Sequence, residues 1–197
     1  EGSAEATEGV RFEMDGDELE ISREGRLMDS AGATVRVTMP TPESLSLAGS
    51  GEIELDRLGS GGEASVSIAG SGEARVARIA AGTLEVNIAG SGDLVGAGSA
   101  ETLDLSIAGS GDVDLRDVQV ENADISIAGS GDAVFSSNGT VEASIMGSGD
   151  VTVLGSASCS VKSMGSGTVK CDRSGASASA SEADTGTAST QDEQSAQ

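Results

Sequence analysis

Seven copies of the tripeptide GSG recur at a near-constant period, with their first glycine at Gly49, Gly70, Gly90, Gly109, Gly129, Gly147 and Gly165. The successive spacings are 21, 20, 19, 20, 18 and 18 residues. A period this even identifies a stack of similar units, because fixed-period self-similarity marks repeat architectures. Aligned on that glycine, the residues six, four and two positions earlier read Leu84/Val86/Ile88, Leu103/Leu105/Ile107 and Val141/Ala143/Ile145. Four and six positions later come Ile53/Leu55, Val113/Leu115, Ala133/Phe135 and Val151/Val153, with Ser, Asp, Glu, Asn and Thr between them.

Strict alternation is the period of a strand with one buried face, so each repeat is read as two short strands either side of a Gly-rich bend. One unit of about 20 residues holds too little apolar surface to fold alone. Stacked units bury a continuous core and satisfy their backbone groups on their neighbours. The sequence therefore predicts an all-β fold, a right-handed parallel β-helix (β-solenoid) of about seven GSG-containing coils, each 18 to 21 residues long. Equivalent residues should form columns about 4.8 Å apart.

The bend is assigned to Gly49 and Gly51, Gly70 and Gly72, Gly90 and Gly92, Gly109 and Gly111, Gly129 and Gly131, Gly147 and Gly149, and Gly165 and Gly167. Glycine takes such corners because it adopts positive φ without strain. Just before the bend stand Ala48, Ala69, Ala89, Ala108, Ala128, Met146 and Met164. A small side chain there is expected to let the corner close.

The flanks differ. Residues 1–9 are expected to be disordered. Residues 10–40 carry alternating apolar sets without GSG, in "VRFEMDGDELEIS" and "ATVRVTMP", and are expected to be irregular strands capping the N-terminal end of the core over 41–173. Residues 174–197 contain no bulky apolar side chain and cannot offset their ordering entropy, so a disordered tail is expected.

Composition narrows the chemistry. The chain has 33 acidic and 11 basic residues, a formal charge of −22, two Phe and no His, Tyr or Trp. That charge excludes nucleic acid as a partner, since polyanion binding needs clustered Lys and Arg. No apolar run is long enough to span a bilayer. The sequence begins with Glu rather than Met, from which an upstream segment is expected, removed by processing or by the choice of the expressed fragment.

The run V-x-V-x-M-P followed by repeated L-x-I-x-G-S-G-D/E-V resembles the bacterial GIN-domain family, described as auto-transporter adhesin heads. The resemblance covers roughly Val10 to Asp172. It implies a right-handed β-helix and an exported location, in the periplasm, associated with the outer membrane or extracellular. It implies no established enzymatic activity, and it places no binding residues on this chain.

Cys159 and Cys171 lie six residues before and after Gly165, on positions whose counterparts point inward. A disulfide is expected, because an exported protein would oxidise such a pair and a terminal coil stacked on one side gains from a staple. The alternative is two buried thiols acting as small hydrophobes. Two Cys without His make a poor zinc site.

Directly after the bends stand Glu52, Glu73, Asp93, Asp112, Asp132 and Asp150, ending at Thr168. Carboxylates stacked in register repel by about 1 kcal/mol per pair in a water-like dielectric. The column reads as a solvated row that opposes side-by-side aggregation. The sharper reading is a row of weak Ca²⁺ sites, since hard oxygen ligands at close spacing suit that ion. G-S-G-D lacks the double glycine and the nonapeptide tandem of calcium repeats, so no high-affinity site is expected. Phosphate is disfavoured because a carboxylate follows six of the seven bends.

Without His, Ser-His-Asp and Cys-His nucleophilic systems are excluded. Pairs such as Asp112 with Asp114 could in principle serve glycoside hydrolysis, yet no pair stands out among so many repeated acids. Asn138 lies in an N-x-[ST] sequon, although Asn138-Gly139 between strands reads more readily as a tight turn. Arg57, Arg75, Arg78 and Arg116 are expected to offset neighbouring acids. The reading that follows is a non-enzymatic, exported surface-interaction or structural module without cofactor. Its ligand, protein or glycan, is undefined. Two alternatives are a divalent-cation-responsive module and a self-assembling scaffold, a homo-oligomer in which coils stack end to end.

Overall fold

The computed structural model describes Gly2, Thr7, residues 9–23 and residues 33–171. The expected disordered tail, 174–197, and most of the expected disordered N-terminus, 1–9, lie outside the described residues. Every described element is a β-strand, and the chain divides into two units, 1–40 and 41–197.

In the first unit β1 (Val10–Asp15) and β2 (Glu18–Arg23) form an antiparallel hairpin that turns at Gly16, φ +62°. Phe12 faces Ile21 and Met14 faces Leu19 across the pair. Residues 33–39, whose alternation suggested a strand, form none. Alternation prepares a face, but a strand also requires a regular ladder of backbone hydrogen bonds.

The second unit is a parallel β-solenoid of about seven turns. Its strands are β3 (Ser44–Gly49), β4 (Glu52–Leu55), β5 (Glu63–Gly70), β6 (Glu73–Gly90), β7 (Asp93–Gly109), β8 (Val113–Gly129), β9 (Ala133–Gly147), β10 (Val151–Leu154), β11 (Ser158–Gly165) and β12 (Val169–Cys171). The GSG glycines stack as expected: Gly49 on Gly70, Gly70 on Gly90, and so through Gly109, Gly129 and Gly147 to Gly165. One expectation changes. β6 to β9 run 15 to 18 residues each and break only at the GSG corner. The other corners are absorbed as register shifts inside the strands, at Val76/Ile79, Val95/Ala97 and Leu115/Gln119. A bulge bends a strand without ending its ladder.

The inward columns form one core. Leu47, Ile68, Ile88, Ile107, Ile127 and Ile145 occupy the position two before the bend, and all are buried. Phe135 fills the column shared with Leu115 and Val153. Full burial of such a side chain stabilises by about 1.5–3 kcal/mol, which is what draws each coil onto the next.

Both glycines of a corner are required, for different reasons. Gly129 has φ +141°, and a Cβ built there would run into the carbonyl oxygen of Gly109 in the preceding coil. Gly131 has no positive φ, but its Cβ would strike the carbonyl oxygen of Gly111. The close stacking lets Ser130 N–H donate to Gly109 O at 2.8 Å, so the ladder continues around the corner.

The column before the bend corrects a second expectation. Ala48, Ala69, Ala89, Ala108 and Ala128 face outward, and the column ends in Met146 and Met164, 53% and 71% exposed. Alternation holds up to the glycine, so these side chains do not close the corner, and the two Met are accommodated because they project into solvent.

Candidate functional site

The column after the bend carries the most regular polar chemistry. Asp112 N–H donates to Asp93 Oδ1 at 3.1 Å, Asp132 N–H to Asp112 Oδ1 at 3.1 Å, and Asp150 N–H to Asp132 Oδ1 at 2.8 Å. Thr168 closes the series, its N–H and Oγ1 both donating to Asp150 Oδ1 at 2.9 and 2.7 Å. Where the preceding coil carries Glu, the bond goes elsewhere. Glu73 N–H donates to Gly51 O and Asp93 N–H to Gly72 O. The shorter side chain folds back onto the neighbouring backbone, whereas Glu52 and Glu73 extend to Arg75, which they meet at 3.5 and 2.5 Å.

The row is therefore structural as well as solvated. Each aspartate supplies an acceptor to an N–H left without a strand partner at the corner, and a charge-assisted bond to backbone N–H is a strong one. The hydrogen bonds from Thr168, hydroxyl first and N–H second, hold Asp150 below the usual carboxylate range. One oxygen of each aspartate is thus already engaged. Among the described residues no three His, Cys, Asp or Glu side chains are grouped so as to hold a metal ion.

Arg116 Nε donates to Asp114 Oδ1 at 2.7 Å, which lowers the Asp114 pKa and raises that of Arg116. Arg75 and Arg116 thus offset acids as expected. Asp112 and Asp114 serve different partners, the first a backbone N–H and the second a guanidinium.

Asn138-Gly139 makes no tight turn. It lies inside β9, where Asn138 Oδ1 accepts from Ser156 N–H and Oγ, both at 3.1 Å. Gly139 is there because a Cβ would collide with Glu121 O of the preceding coil.

Cys159 and Cys171 form a disulfide, with Cα atoms 6.6 Å apart. Cys159 stacks on Val141 and Cys171 on Val153, both buried, so the bond closes the last coil across the inward columns.

Among the described residues, two depressions stand out on the surface of the solenoid. The larger, about 680 Å³, includes Ala81, Ala100, Glu101, Gln119, Glu121 and Asn122 in its lining. A smaller one, about 340 Å³, includes Glu54, Asp56, Arg75 and Asp117. Of the larger one's lining, sequence reasoning singled out Asn138 and Gly139 alone, and those as a sequon or turn. The signal was present in the outward column Ala80–Ser99–Gln119, where side-chain length grows along the stack.

The family described as "putative auto-transporter adhesin, head GIN domain" matches residues 1–157. The chain belongs to this family. Two solved structures share the fold of the GIN domain. A protein from Bacteroides fragilis described as a "putative adhesin" is 21% identical, with a TM-score of 0.69 over 84% of this chain and 77% of that one. A protein from Parabacteroides distasonis described as a "putative lipid binding protein" is 20% identical, with a TM-score of 0.59 over 87% of this chain and 82% of that one. No curated protein matches the chain. The disulfide-closed last coil, from Ser158 onward, lies beyond the family match. No helix among the described residues is long and apolar enough to cross a membrane.

Proposed function

We propose that this GIN domain is a non-enzymatic, exported surface-interaction module of the cell envelope, adhesive in action. Membership of the adhesin-head family is the observation that carries the reading. The disulfide of the last coil supports export, because such bonds persist in oxidising compartments. Rigidity supports adhesion, since parallel columns present the same groups at a fixed rise over many coils. The non-enzymatic assignment is supported by the separate structural duties of the acids, which stay spread along the stack. A lipid-binding reading has weaker support, as the lining of both depressions includes carboxylates, Glu101 and Glu121 in one and Glu54, Asp56 and Asp117 in the other, that match acyl chains poorly.

Attachment of beads coated with the chain to bacterial or host surfaces tests the proposal. Adhesion above that of beads carrying an unrelated protein of equal charge is expected. Beads that never exceed this control would count against it. The calcium alternative has less support because one oxygen of each aspartate in the row already accepts a backbone bond; micromolar Ca²⁺ binding in calorimetry would restore it. End-to-end stacking is opposed by the last coil, whose edge carries Lys162 and Lys170, the only lysines of the chain. Charged residues, lysine above all, are how open edges resist pairing.

A further inference from the structure

We propose that the larger depression is a binding groove for an extended, uncharged, polyhydroxylated chain, a neutral glycan strand; this rests on the surface-module reading above. The lining comes from five successive coils, from Gly61 to Gly139. Four steps of about 4.8 Å give a length of about 19 Å, which suits a linear ligand lying along the stack.

The groove is built by a change in side-chain length. Ala80 stacks on Ser99 and Ser99 on Gln119, while Ala81, Ala100 and Val120 stack beneath. Small residues on the N-terminal side leave the space, and Gln119, Glu121 and Asn122 wall it. The floor of Ala81, Ala100 and Val120 is apolar and nearly buried, fit to meet the C–H face of a sugar ring.

The wall carries hydrogen-bonding capacity that the fold does not consume. Several other outward polar groups are committed: Asp93, Asp112, Asp132 and Asp150 to backbone N–H, Arg116 to Asp114, and Asn87 to Glu85. The side chains of Glu101, Gln119, Glu121 and Asn122 have no such partner among the described residues. Two carboxylates and two carboxamides offer acceptors together with N–H donors. A hydroxyl both donates and accepts, so it can use both kinds, whereas an ammonium would leave the carboxamide donors idle. An anionic polymer is repelled by Glu101, Glu121 and the net charge of −22. Without an aromatic platform the single-site affinity is expected to be weak, of order millimolar, and to be multiplied when many copies engage one strand.

The test titrates the full chain with chitotetraose and cellotetraose to about 10 mM, several times a millimolar Kd, and follows amide chemical shifts. Shifts centred on Gln119, Asn122 and Asn138 are expected with at least one sugar. The variant Gln119→Ala/Asn122→Ala should bind at least tenfold more weakly, and Ser106→Ala/Ser126→Ala on another outward column should bind normally. All four residues are exposed, and an unchanged melting curve would verify the fold. Absence of shifts with both sugars, shifts located elsewhere, or undiminished binding by the groove variant would overturn the proposal. So would response of these amides to spermidine alone. The bead assay separates the two proposals: adhesion that the groove variant retains in full removes the groove and leaves the adhesive role standing.

Discussion

The middle coils and the last coil are made from one repeat, yet they are held together differently. In the middle, Ile107 and Ile127 are about 1% exposed because a coil stacks on each side of them. In the last coil Ser163 replaces isoleucine in that column, donating its hydroxyl to Gly167 O at 3.1 Å, and Val161 is 46% exposed. Burial that comes from neighbours is lost where neighbours end. A solenoid therefore needs a second kind of stabilisation at its termini, and here a disulfide, a serine and two lysines take the place of isoleucine packing.

The sharpest way to break the comparison is at a corner. Gly129→Ala adds a clash with the Gly109 carbonyl to the strain of positive φ, and is expected to cost about 4 kcal/mol or more in urea denaturation. Gly49→Ala at the first corner, where nothing lies within 4 Å of the added carbon, should cost only the conformational strain, about 1–2 kcal/mol. Equal losses would show that stacking contributes nothing to the glycine requirement. Next in size, Ile127→Ala is expected to cost about 3–4 kcal/mol and Val161→Ala less than about 1 kcal/mol, both read by the same denaturation.

Cys159→Ser/Cys171→Ser is expected to cost about 2–3 kcal/mol, confined to the end of the stack. Hydrogen exchange should quicken at Ser158–Cys171 while β7 and β8 keep their protection. Uniform loss of protection would mean that the terminal coil is not a separate unit of stability.

The smallest effect concerns pH. Because its bonds from Thr168 lower the folded pKa of Asp150, the stabilisation is present above the ordinary aspartate pKa of about 3.9 and is lost as pH falls through the depressed folded value. Protection of the Thr168 amide should fall in that acid range and should already be low at neutral pH in Asp150→Ala. An amide whose protection ignores both changes would leave the carboxylate bond without energetic weight.

Most of the fold was legible because sequence period and spatial neighbourhood coincide in a solenoid. The spacing of the glycines gave the register of Gly90 on Gly109 directly, and the positions of Cys159 and Cys171 gave their pairing. The N-terminal segment was less legible, since the alternation of 33–39 resembles that of a strand but no strand forms. The groove went unread because no motif joins its residues, the sequon at Asn138 pointing elsewhere. Only their stacking turns Ala80, Ser99 and Gln119 into a slope.

By itself the sequence determined which residues share a column, which of them are apolar, and where the chain must turn. Those facts follow from period and from the steric freedom of glycine. The tertiary structure alone decided what each polar column does: that the alanines before the bend face water, that aspartate but not glutamate reaches back to a backbone N–H, and that Asn138 bonds to the next coil instead of turning the chain. The reason is distance. A hydrogen bond depends on tenths of an ångström between coils, and no spacing along the chain encodes them.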